Sequence, residues 1–398
     1  MWQIDPDVTY LNHGSFGAVP LPVAEFRSTL LAEIERNPVR FLANDLEVRL
    51  DSARRKLASF VGADPAGLVF VDNATTGVNT ALRHLGRSIG PGDEIMVTDH
   101  EYNACVNAAR AIARDTGADV VTTPVPFPVG SASEVVDAVT SALTERTRIL
   151  LIDHVTSATA LVLPIEEIVA AANARGVEVI VDGAHAPGMI PLNLADLDVA
   201  FYTGNGHKWM CAPKGAAFLS VAPRHRESME PMVISHGWND ERAGRSRLHK
   251  LFDWTGTGDF TPFLSVPAAI DAMATARPGG WPEVMGSNRE LALRARATVC
   301  SRLGVDLPAP DGMIGSMAAI PLPDGSGGVA GVVDPLTAVL SEEYRIEAPV
   351  FAWPGPGTRM LRISAQIYNS LDQYERLADA LGELLAGQSE SRSSSSSP

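Results

Sequence analysis

Two neighbouring stretches decide how the chain folds: VEVIVDGAHAPG at residues 177–188 and DVAFYTGNGHKWMCAPKG at residues 198–215. Each begins as a short apolar run and then breaks into polar sequence rich in glycine. Continuous apolar runs, rather than alternating ones, are typical of strands buried on both faces of a parallel sheet. Ligands of such sheets bind outside the carboxyl ends of the strands. The two stretches therefore predict a functional site near Asp182 and Lys208.

The same kind of apolar run recurs between residues 44 and 220, separated by helix-like sequence. The further runs are LVFV (68–71), EIMVT (94–98), DVVTT (119–123), RILLID (148–153) and AAFLSV (216–221). Strands that alternate with helices favour an α/β fold with helices on both faces of the sheet. We predict a mostly parallel seven-stranded sheet.

The pattern changes near residue 265, where the sequence becomes rich in helix-like segments such as VPAAIDAMATA (266–276). The predicted units are an N-terminal segment at 1–43 that packs on the small domain or a partner subunit, a large domain at 44–264, a smaller α+β C-terminal domain at 265–387 and a disordered Ser-rich tail at 388–398. Disorder is expected in the tail because polar low-complexity sequence cannot offset the entropy of ordering.

Composition excludes several classes of partner. Hydrophobic residues make up 45% and charged residues 20% of the chain, which is ordinary for a globular protein. The net charge of −15 disfavours binding to nucleic acid or to an anionic membrane surface. The sequence shows neither a basic stretch followed by an apolar run nor an apolar run of ~18 to 20 residues, so we expect a cytoplasmic protein without a membrane anchor.

The cysteines and histidines favour neither disulfides nor a metal site. Cys105, Cys211 and Cys300 are scattered without CxxC spacing, which fits a reducing cytoplasm. The nine histidines form no HxxxH or HExxH pair on a helix. We therefore predict no bound metal. The glycine motifs match neither GxGxxG nor GxxxxGKS, so nucleotide binding is not supported.

A polar turn follows the strand LVFV in VDNATTGVNTAL (71–82), and a helix is predicted to begin near Thr76. The N–H groups at that helix start, with the hydroxyls of Thr75 and Thr76, form a donor-rich end suited to a phosphate. An ordinary helix N-cap explains the same residues equally well.

Asp182 ends a buried apolar strand, and His185 follows three residues later. A buried carboxylate needs a positive or hydrogen-bond donor partner. A protonated pyridine nitrogen would satisfy it. The alternative is a helix N-cap aspartate next to a structural histidine.

Lys208 follows His207 in a turn of small and apolar residues. Lysine is seldom buried. Burial and neighbouring cations lower the pKa of an amine from its usual value near ~10.4, which favours Schiff-base chemistry with an aldehyde. The alternative is a lysine on a surface turn.

Arg362 alternates with apolar residues in the strand-like run TRMLRISAQIYNS (358–370). Its guanidinium can offer two parallel hydrogen bonds to a carboxylate. A structural ion pair is the other explanation, and the run alone does not separate the two.

The motifs NATTGVN, DGAHAPG, TGNGHKW and RISAQIYN, in this order, resemble the class V aminotransferase family of fold-type I enzymes that depend on pyridoxal phosphate (PLP). The stretches YLNHGSFGAVP and DHVTSATALVLPI resemble its isopenicillin N epimerase-like branch. The resemblance extends from about Tyr10 to Leu385. It implies a PLP-binding large domain and a smaller C-terminal domain.

The resemblance also implies roles for individual residues. Lys208 would hold the cofactor as a Schiff base and later move protons at the substrate α-carbon. Asp182 would bind the pyridine nitrogen, and His185 would lie near the phenolic oxygen. The residues implied to hold the phosphate are Thr75, Thr76, Asn205 and His207.

Further residues are implied around the substrate and at a subunit interface. Tyr102 in DHEYNA matches the aromatic group that stacks on the cofactor and takes part in catalysis, although His100 lies two residues away and could stack instead. Thr257 matches a segment that reaches a neighbouring subunit's phosphate, so a homodimer with shared sites is expected. The residues implied to bind the substrate are Arg362, Asn12 and His13.

One departure from the family pattern bears on the reaction. Cysteine desulfurases of this family carry a nucleophilic cysteine shortly before the substrate arginine, whereas RIEAPVFAWPGPGTRMLR (345–362) contains none. Desulfurase chemistry through an enzyme-bound persulfide is therefore disfavoured. We interpret the three cysteines as small buried apolar residues.

The function expected from the resemblance is PLP-dependent chemistry at the α-carbon of an amino acid with a bulky or sulfur-containing side chain, in specialised metabolism. Epimerisation or β-elimination (carbon–sulfur cleavage) is favoured, and decarboxylation-linked deamination or transamination is the alternative. The motifs do not choose, because these outcomes depend on fine geometry around one lysine. A catalytically inactive binding protein that retains the fold is the alternative of a different class.

Overall fold

The structure, a computed structural model, describes residues 1–325 and 333–395. Its elements up to the last strand of the large sheet are, in chain order, β1 (Thr9–Tyr10), α1 (Leu21–Arg36), α2 (Leu46–Val61), β2 (Leu68–Val71), α3 (Ala74–Leu85), β3 (Glu94–Thr98), α4 (Asn103–Thr116), β4 (Asp119–Thr123), α5 (Ala132–Ala142), β5 (Thr147–Asp153), α6 (Ile165–Asn173), β6 (Glu178–Asp182), β7 (Phe201–Asn205) and β8 (Ala217–Val221). They are followed by α7 (Arg247–Phe252), α8 (Thr261–Leu264), α9 (Val266–Ala274), α10 (Gly280–Leu303), β9 (Met317–Leu322), α11 (Leu336–Tyr344), β10 (Ile346–Glu347), β11 (Val350–Phe351), β12 (Arg359–Ser364) and α12 (Leu371–Ser395).

The large sheet has seven strands in the order β2–β8–β7–β6–β5–β3–β4. Strand β8 runs antiparallel to both of its neighbours, β2 and β7, and the pairs from β7 to β4 are parallel. The prediction of an α/β fold with a mostly parallel seven-stranded sheet is confirmed. In the middle of the sheet Asp153 at the end of β5 pairs in register with Asp182 at the end of β6, which pairs with Thr203 on β7. The parallel strands therefore bring their polar terminal residues together at one edge.

Both faces of this sheet are buried, which explains the continuous apolar runs. On β6, Val179 and Val181 belong to one core cluster and Ile180 to the other, and none of the three side chains is exposed to solvent. The first cluster includes residues of α5 and α6, and the second includes residues of α3 and α4. Apolar contact on both sides keeps the strand ends in place.

A second, antiparallel sheet lies in the C-terminal part of the chain, in the order β11–β12–β9. Helix α10 packs on β9 and on α12. Strand β1 pairs in parallel with β10, with Thr9 opposite Ile346, so the N-terminal segment contacts the C-terminal part. The domain limits at residues 43, 264 and 387 stay predictions.

The two longest helices, α10 and α12, lie near the C-terminus. Helix α12 continues to Ser395, so the backbone is helical at residues 388–395, where the sequence predicted disorder. A nucleated helix gains one hydrogen bond for each residue added, which allows it to extend into polar sequence. Residues 396–398 of the predicted tail lie outside the described residues. No helix in the described ranges is both long and apolar enough to cross a membrane.

Candidate active site

The site forms where β5, β6 and β7 end and α3 begins. Asn205 is the last residue of β7, and its side-chain oxygen accepts a hydrogen bond from the N–H of Ala74, the first residue of α3, at 2.9 Å. This bond ties the N-terminus of the helix to the sheet edge. Strand ends and helix start therefore face one shared space, as expected for an open α/β sheet.

Lys208 lies three residues beyond β7, partly buried, and its Nζ is 2.9 Å from His185 Nε2. Burial, reinforced by the charge of Arg362, lowers the pKa of the Lys208 amine to about 7. A substantial fraction of the amine is therefore unprotonated at neutral pH, as a nucleophile for an aldehyde requires. The surface-turn alternative does not fit this environment.

His185 is buried, and burial holds its pKa well below the usual value, so its imidazole is neutral. When Nε2 accepts a hydrogen bond from Lys208, the ring proton is on Nδ1. Nδ1 has no hydrogen-bond partner among the residues described. A buried donor without an acceptor is costly in a finished protein, and it marks a place where a ligand oxygen would be accommodated.

Asp182 is buried and accepts two hydrogen bonds within the chain. Its Oδ1 accepts from the N–H of Ala184 at 2.9 Å, and its Oδ2 accepts from the thiol of Cys105, with 3.2 Å between sulfur and oxygen. Burial raises the pKa of Asp182, while the two donors and Lys208 act to lower it. The next helical turn begins only at Leu194, so the alternative of a helix N-cap is wrong.

Two more buried acids, Glu101 and Asp153, surround Asp182, and the motifs did not identify them. Potential ligand atoms of Glu101, Cys105 and Asp182 lie within 4.8 Å of one another. Burial, the largest cause, raises the pKa of both Glu101 and Asp153 well above the ordinary value. A signal was available, because Asp153 ends RILLID as Asp182 ends VEVIVD, and Glu101 directly precedes Tyr102.

Thr75 and Thr76 lie in the first turn of α3, which begins at Ala74, two residues before the predicted start. Asn73 is the N-cap, and its Oδ1 accepts a hydrogen bond from the N–H of Thr76 at 2.9 Å. Thr75 is thus not needed as the cap. On the other side, His207 Nδ1 donates to the carbonyl oxygen of Ala216 at 3.1 Å, and burial lowers the pKa of His207 to about 4.

Arg362 on β12 is buried and makes only neutral contacts. Its guanidinium donates to the carbonyl oxygen of Ser157 at 2.8 Å, to Ser15 Oγ at 2.6 Å and to Asn12 Oδ1 at 3.4 Å. Burial lowers the pKa of Arg362 to about 10, so it stays charged at neutral pH. Within the described residues no acid forms an ion pair with Arg362, and its Nε has no hydrogen-bond partner. The structural ion-pair alternative is therefore wrong.

Tyr102 and His100 differ in how free their rings are. Tyr102 directly precedes α4 and is 48% exposed. His100 is buried, with Nδ1 2.7 Å from Thr159 Oγ1 and Nε2 3.1 Å from the carbonyl oxygen of Val125. Its ring packs against Trp353 at 4.6 Å between centroids. Both polar atoms of His100 are thus engaged in the protein's own structure, whereas Tyr102 is available.

His13 is buried, and both of its ring nitrogens contact groups of the chain itself. Its Nε2 donates to the carbonyl oxygen of Lys208 at 3.1 Å, and its Nδ1 is 2.9 Å from the hydroxyl of Tyr368. Burial lowers the pKa of His13 to about 3, so the ring is neutral. Thr257, by contrast, is exposed between Gly256 and Gly258 and has no part in this cluster within one chain.

The three cysteines are all buried. Cys300 lies in α10, and Cys211 is in the left-handed region with φ of 59°. Only Cys105 contacts the central carboxylates. Burial raises the pKa of each thiol, which disfavours a nucleophilic role.

Comparison with known proteins places these features in a family. A family model described as aminotransferase class-V matches residues 20–274. The chain is 39% identical over 396 residues to an isopenicillin N epimerase of Amycolatopsis lactamdurans, covering 96% of both proteins. It is 30% identical to a probable chloroplastic L-cysteine desulfhydrase of Arabidopsis thaliana, covering 96% of this chain and 84% of that protein.

The solved structures agree on the fold. A cystine C–S lyase in complex with its product cysteine persulfide superposes with a TM-score of 0.79 and 24% identity, covering 94% of this chain and 97% of the other. Another structure, of a variant of that lyase, contains glycine covalently linked to the PLP cofactor. At this identity the likeness shows the fold alone.

The mostly parallel sheet, with a buried carboxylate at the end of β6 and a lysine of lowered pKa after β7, matches the fold-type I class of PLP enzymes. The chain belongs to the class V aminotransferase family. Its cofactor is pyridoxal phosphate. The residues present fit that cofactor, because Asp182 offers an acceptor, Lys208 an amine whose pKa is lowered to about 7 and His185 a buried donor without a partner among the described residues.

Proposed function

We propose that the enzyme acts at the α-carbon of an amino acid with a bulky or sulfur-containing side chain, and that it catalyses epimerisation or the elimination of a sulfur substituent. The observation that carries this proposal is Arg362, a buried guanidinium without an acidic partner among the described residues, close enough to Lys208 to lower its pKa. In an α-amino acid the carboxylate and the amino group are attached to the same carbon. The carboxylate could therefore bind Arg362 while the amino group lies near Lys208. The relatives named an epimerase and a desulfhydrase support the two reactions.

Bound PLP supplies an electron sink for negative charge at the substrate α-carbon. In this proposal Lys208 would hold the cofactor through its aldehyde carbon and would move the α-proton. Asp182 would keep the ring nitrogen positively charged, and His185 Nδ1 would donate to the phenolic oxygen. Thr75, Thr76, Asn205 and His207 would hold the phosphate.

Tyr102 is proposed to stack on the cofactor, because His100 is fixed by its own hydrogen bonds. Asn12 and Ser15 orient Arg362 through the contacts described above. His13 holds the backbone of Lys208 through the carbonyl oxygen and is thus a positioning residue. Because its buried ring is neutral, His13 does not offer a positive charge to a ligand.

Epimerisation and elimination share the removal of the α-proton and differ in the next step. Epimerisation returns a proton to the opposite face, and elimination expels the β-substituent. For the second reaction, the buried state of Cys105, Cys211 and Cys300 favours direct release of the sulfur product over transfer to an enzyme thiol. Of the two reactions we favour epimerisation, because the relative named as an epimerase has a higher sequence identity to this chain than the relative named as a desulfhydrase.

The experiment that tests the function incubates the holoenzyme in D₂O with cysteine, cysteine S-conjugates and peptide-like amino acids. Mass spectrometry and chiral chromatography then measure deuterium, configuration and products. Deuterium at the α-carbon with both configurations indicates epimerisation, and a keto acid with ammonia and a thiol or sulfide indicates elimination. A keto acid formed without loss of sulfur, or release of CO₂, would contradict the proposal in favour of transamination or decarboxylation. If no substrate exchanged its α-proton for deuterium, the remaining explanation would be a binding protein without catalytic activity.

Arg362→Lys should weaken substrate binding by roughly ten- to a hundredfold while the cofactor stays bound. The substitution keeps the charge but loses the two-pronged donor, which is worth about 1.5 to 3 kcal/mol for a charged partner. Substrate titration followed by cofactor absorbance measures the affinity. Arg359→Lys on the same strand is the matched control, because Arg359 is ion-paired with Asp334 at 3.0 Å. Equal substrate affinity in the two variants would remove Arg362 from the site.

We also infer a homodimer with shared sites. The support is the exposed position of Thr257 between two glycines and the exposed apolar side chains of Val39, Ile234 and Trp238. Exposed apolar surface of this kind is typical of an interface. Sedimentation of the holoenzyme tests the inference, and a monomer at micromolar concentration would contradict it.

A further inference from the structure

The loop that follows β1 contacts both groups that are proposed to act on the substrate. Asn12 and Ser15 in this loop accept hydrogen bonds from Arg362, at 3.4 and 2.6 Å. His13, which lies between them in sequence, donates through Nε2 to the carbonyl oxygen of Lys208 at 3.1 Å. One short segment thus joins the proposed substrate arginine to the backbone of the proposed cofactor lysine.

Two glycines bring this loop, residues 12–18, close to the structure on both sides. A Cβ atom on Gly17 would lie 2.5 Å from the carbonyl oxygen of Lys208, so the approach requires a residue without a side chain. The N–H of Gly14 donates to Ser364 Oγ at 3.1 Å, at the end of β12. The loop is therefore packed between β12 and the turn that carries the lysine.

The hydrogen-bond partners of His13 assign the proton on its ring. A backbone N–H only donates, and a carbonyl oxygen only accepts. The N–H of Ala18 donates to Nδ1 at 3.4 Å, and Nε2 faces the carbonyl oxygen of Lys208 at 3.1 Å. The proton is therefore on Nε2. Burial lowers the pKa of His13 to about 3, so the ring carries no second proton at neutral pH.

Tyr368 supplies a second donor to Nδ1 of His13. Its hydroxyl oxygen is 2.9 Å from Nδ1. Burial raises the pKa of Tyr368 well above its ordinary value, so the hydroxyl keeps its proton and donates it. Its ring packs edge-on against Trp2, with 5.1 Å between centroids. The segment that follows β12 therefore fixes the imidazole that in turn holds the carbonyl oxygen of Lys208.

Gln366 offers a competing arrangement. Its Nε2 is 3.3 Å from His13 Nε2, which would accept from it if the ring proton lay on Nδ1. The carbonyl oxygen of Lys208 would then face a lone pair at 3.1 Å, and the N–H of Ala18 would face another N–H. The amide nitrogen of Gln366 is also 3.7 Å from Cys211 Sγ, which can accept from it instead. The form with the proton on Nε2 satisfies the closer contacts.

We propose that Tyr368 is a positioning residue for Lys208: its hydroxyl holds the His13 ring, and the ring's Nε2–H holds the carbonyl oxygen of Lys208. The strand that carries Arg362 is thereby linked to the turn that carries the lysine. This inference rests on the proposed roles of Lys208 and Arg362. Proton transfer depends closely on the distance between the amine and the α-carbon, so a loosened lysine backbone slows it.

Nuclear magnetic resonance of the holoenzyme labelled with ¹⁵N-histidine observes the ring proton of His13 directly. The chain has nine histidines, and His13→Gln identifies which signals belong to His13. Wild type should show a protonated Nε2 and an unprotonated Nδ1. Tyr368→Phe should keep Nε2 protonated and shift the Nδ1 signal, because Nδ1 loses its hydroxyl donor. A proton on Nδ1 in wild type, or an Nδ1 signal that ignores the substitution, would overturn the proposal.

Kinetics test the positioning role. Tyr368→Phe should lower kcat by about two- to twelvefold, the range that the loss of one neutral hydrogen bond produces. KM and PLP affinity should stay within about twofold, because Arg362 and the proposed cofactor ligands are unchanged. Tyr374→Phe is the matched control, since Tyr374 is a buried tyrosine that donates to the carbonyl oxygen of Ser364 at 2.8 Å. That control should lower the melting temperature and leave both kcat and the His13 signals unchanged.

A double-mutant cycle shows whether Tyr368 acts through His13. In the His13→Leu background, Tyr368→Phe should change kcat by less than about twofold, because the ring that it holds is gone. The same fold-change in both backgrounds would make Tyr368 a packing residue and overturn the proposal.

The reach of a donor at position 13 gives an independent test that does not need Tyr368→Phe to fold. His13→Gln keeps an N–H donor near the position of Nε2, so its kcat should exceed that of His13→Leu by about tenfold. Equal losses in the two variants would contradict a hydrogen bond to Lys208. The His13 signals do not depend on turnover. If Lys208→Ala retained its link to the cofactor, the proposed function would fail while the assignment of the His13 proton remained testable.

Discussion

Lys208→Ala should abolish the covalent link to the cofactor and lower turnover by at least about 10² to 10⁴-fold, the range that a general acid–base group alone contributes. The loss follows from the position of the amine, beside His185 and with a pKa of about 7. Borohydride reduction followed by peptide mapping measures the link, and stopped assays measure turnover. The fold should remain intact, because the side chain contacts the pocket and not the hydrophobic core.

The chain has only four lysines, Lys56, Lys208, Lys214 and Lys250, which makes this test sharp. Lys214→Ala is the matched control, since Lys214 is close in sequence and its amine contacts the carbonyl oxygen of Gly17. Lys214→Ala should keep the near-ultraviolet absorbance of the Schiff base and the borohydride-reducible link between PLP and the protein. If Lys208→Ala kept unchanged turnover and a borohydride-reducible link between PLP and any lysine, Lys208 would not be the cofactor-binding residue.

Asp182→Asn should lower turnover by about a hundredfold or more while the protein still folds and binds PLP. An amide cannot stabilise a positive charge on the ring nitrogen, because its NH₂ group donates to the unprotonated nitrogen instead. Folding should tolerate the change, since the amide oxygen can still accept the N–H of Ala184. Steady-state kinetics and the melting temperature of the holoenzyme measure the two effects.

Asp72→Asn provides the control for Asp182→Asn. Asp72 is an exposed aspartate just after β2, at the same edge of the sheet. Its replacement removes a carboxylate of the same type without entering the buried cluster, so turnover should change by less than about twofold. Full activity in Asp182→Asn, or an equal loss in both variants, would contradict a specific electrostatic role.

The sequence predicts most of the large sheet because local chemistry decides it. Strands buried on both faces require continuous apolar runs, and LVFV, EIMVT and DVVTT coincide with β2, β3 and β4. The run DVAFYT is displaced by two to three residues, since β7 extends to Asn205. Strand order and the antiparallel direction of β8 depend on pairing between distant parts of the chain, so they cannot be inferred from any single apolar run.

The site is predicted less completely than the sheet. Motifs that contain unusual residues, such as those around Asp182 and Lys208, can be recognised in the sequence to within a few positions. Glu101 and Asp153 look ordinary in sequence, and only the register between β5 and β6 and the start of α4 bring them to Asp182. Ser15 and Ser157 are similar cases, because neither a hydroxyl nor a backbone carbonyl that accepts a hydrogen bond from an arginine has a recognisable sequence pattern.

The contacts of Arg362 have a consequence for synthesis of the chain on the ribosome. The residues proposed to hold the cofactor, from Thr75 to Lys208, leave the ribosome more than a hundred residues before Arg362. Asn12 and Ser15 leave earlier still, and they cannot contact Arg362 until it has been synthesised. The segment that carries them is also tied to the late strand β10. The residues proposed to hold PLP can therefore be made before the arginine proposed to bind the substrate. A nascent or truncated chain that ends before residue 362 would contain the proposed cofactor ligands but not the proposed carboxylate-binding residue.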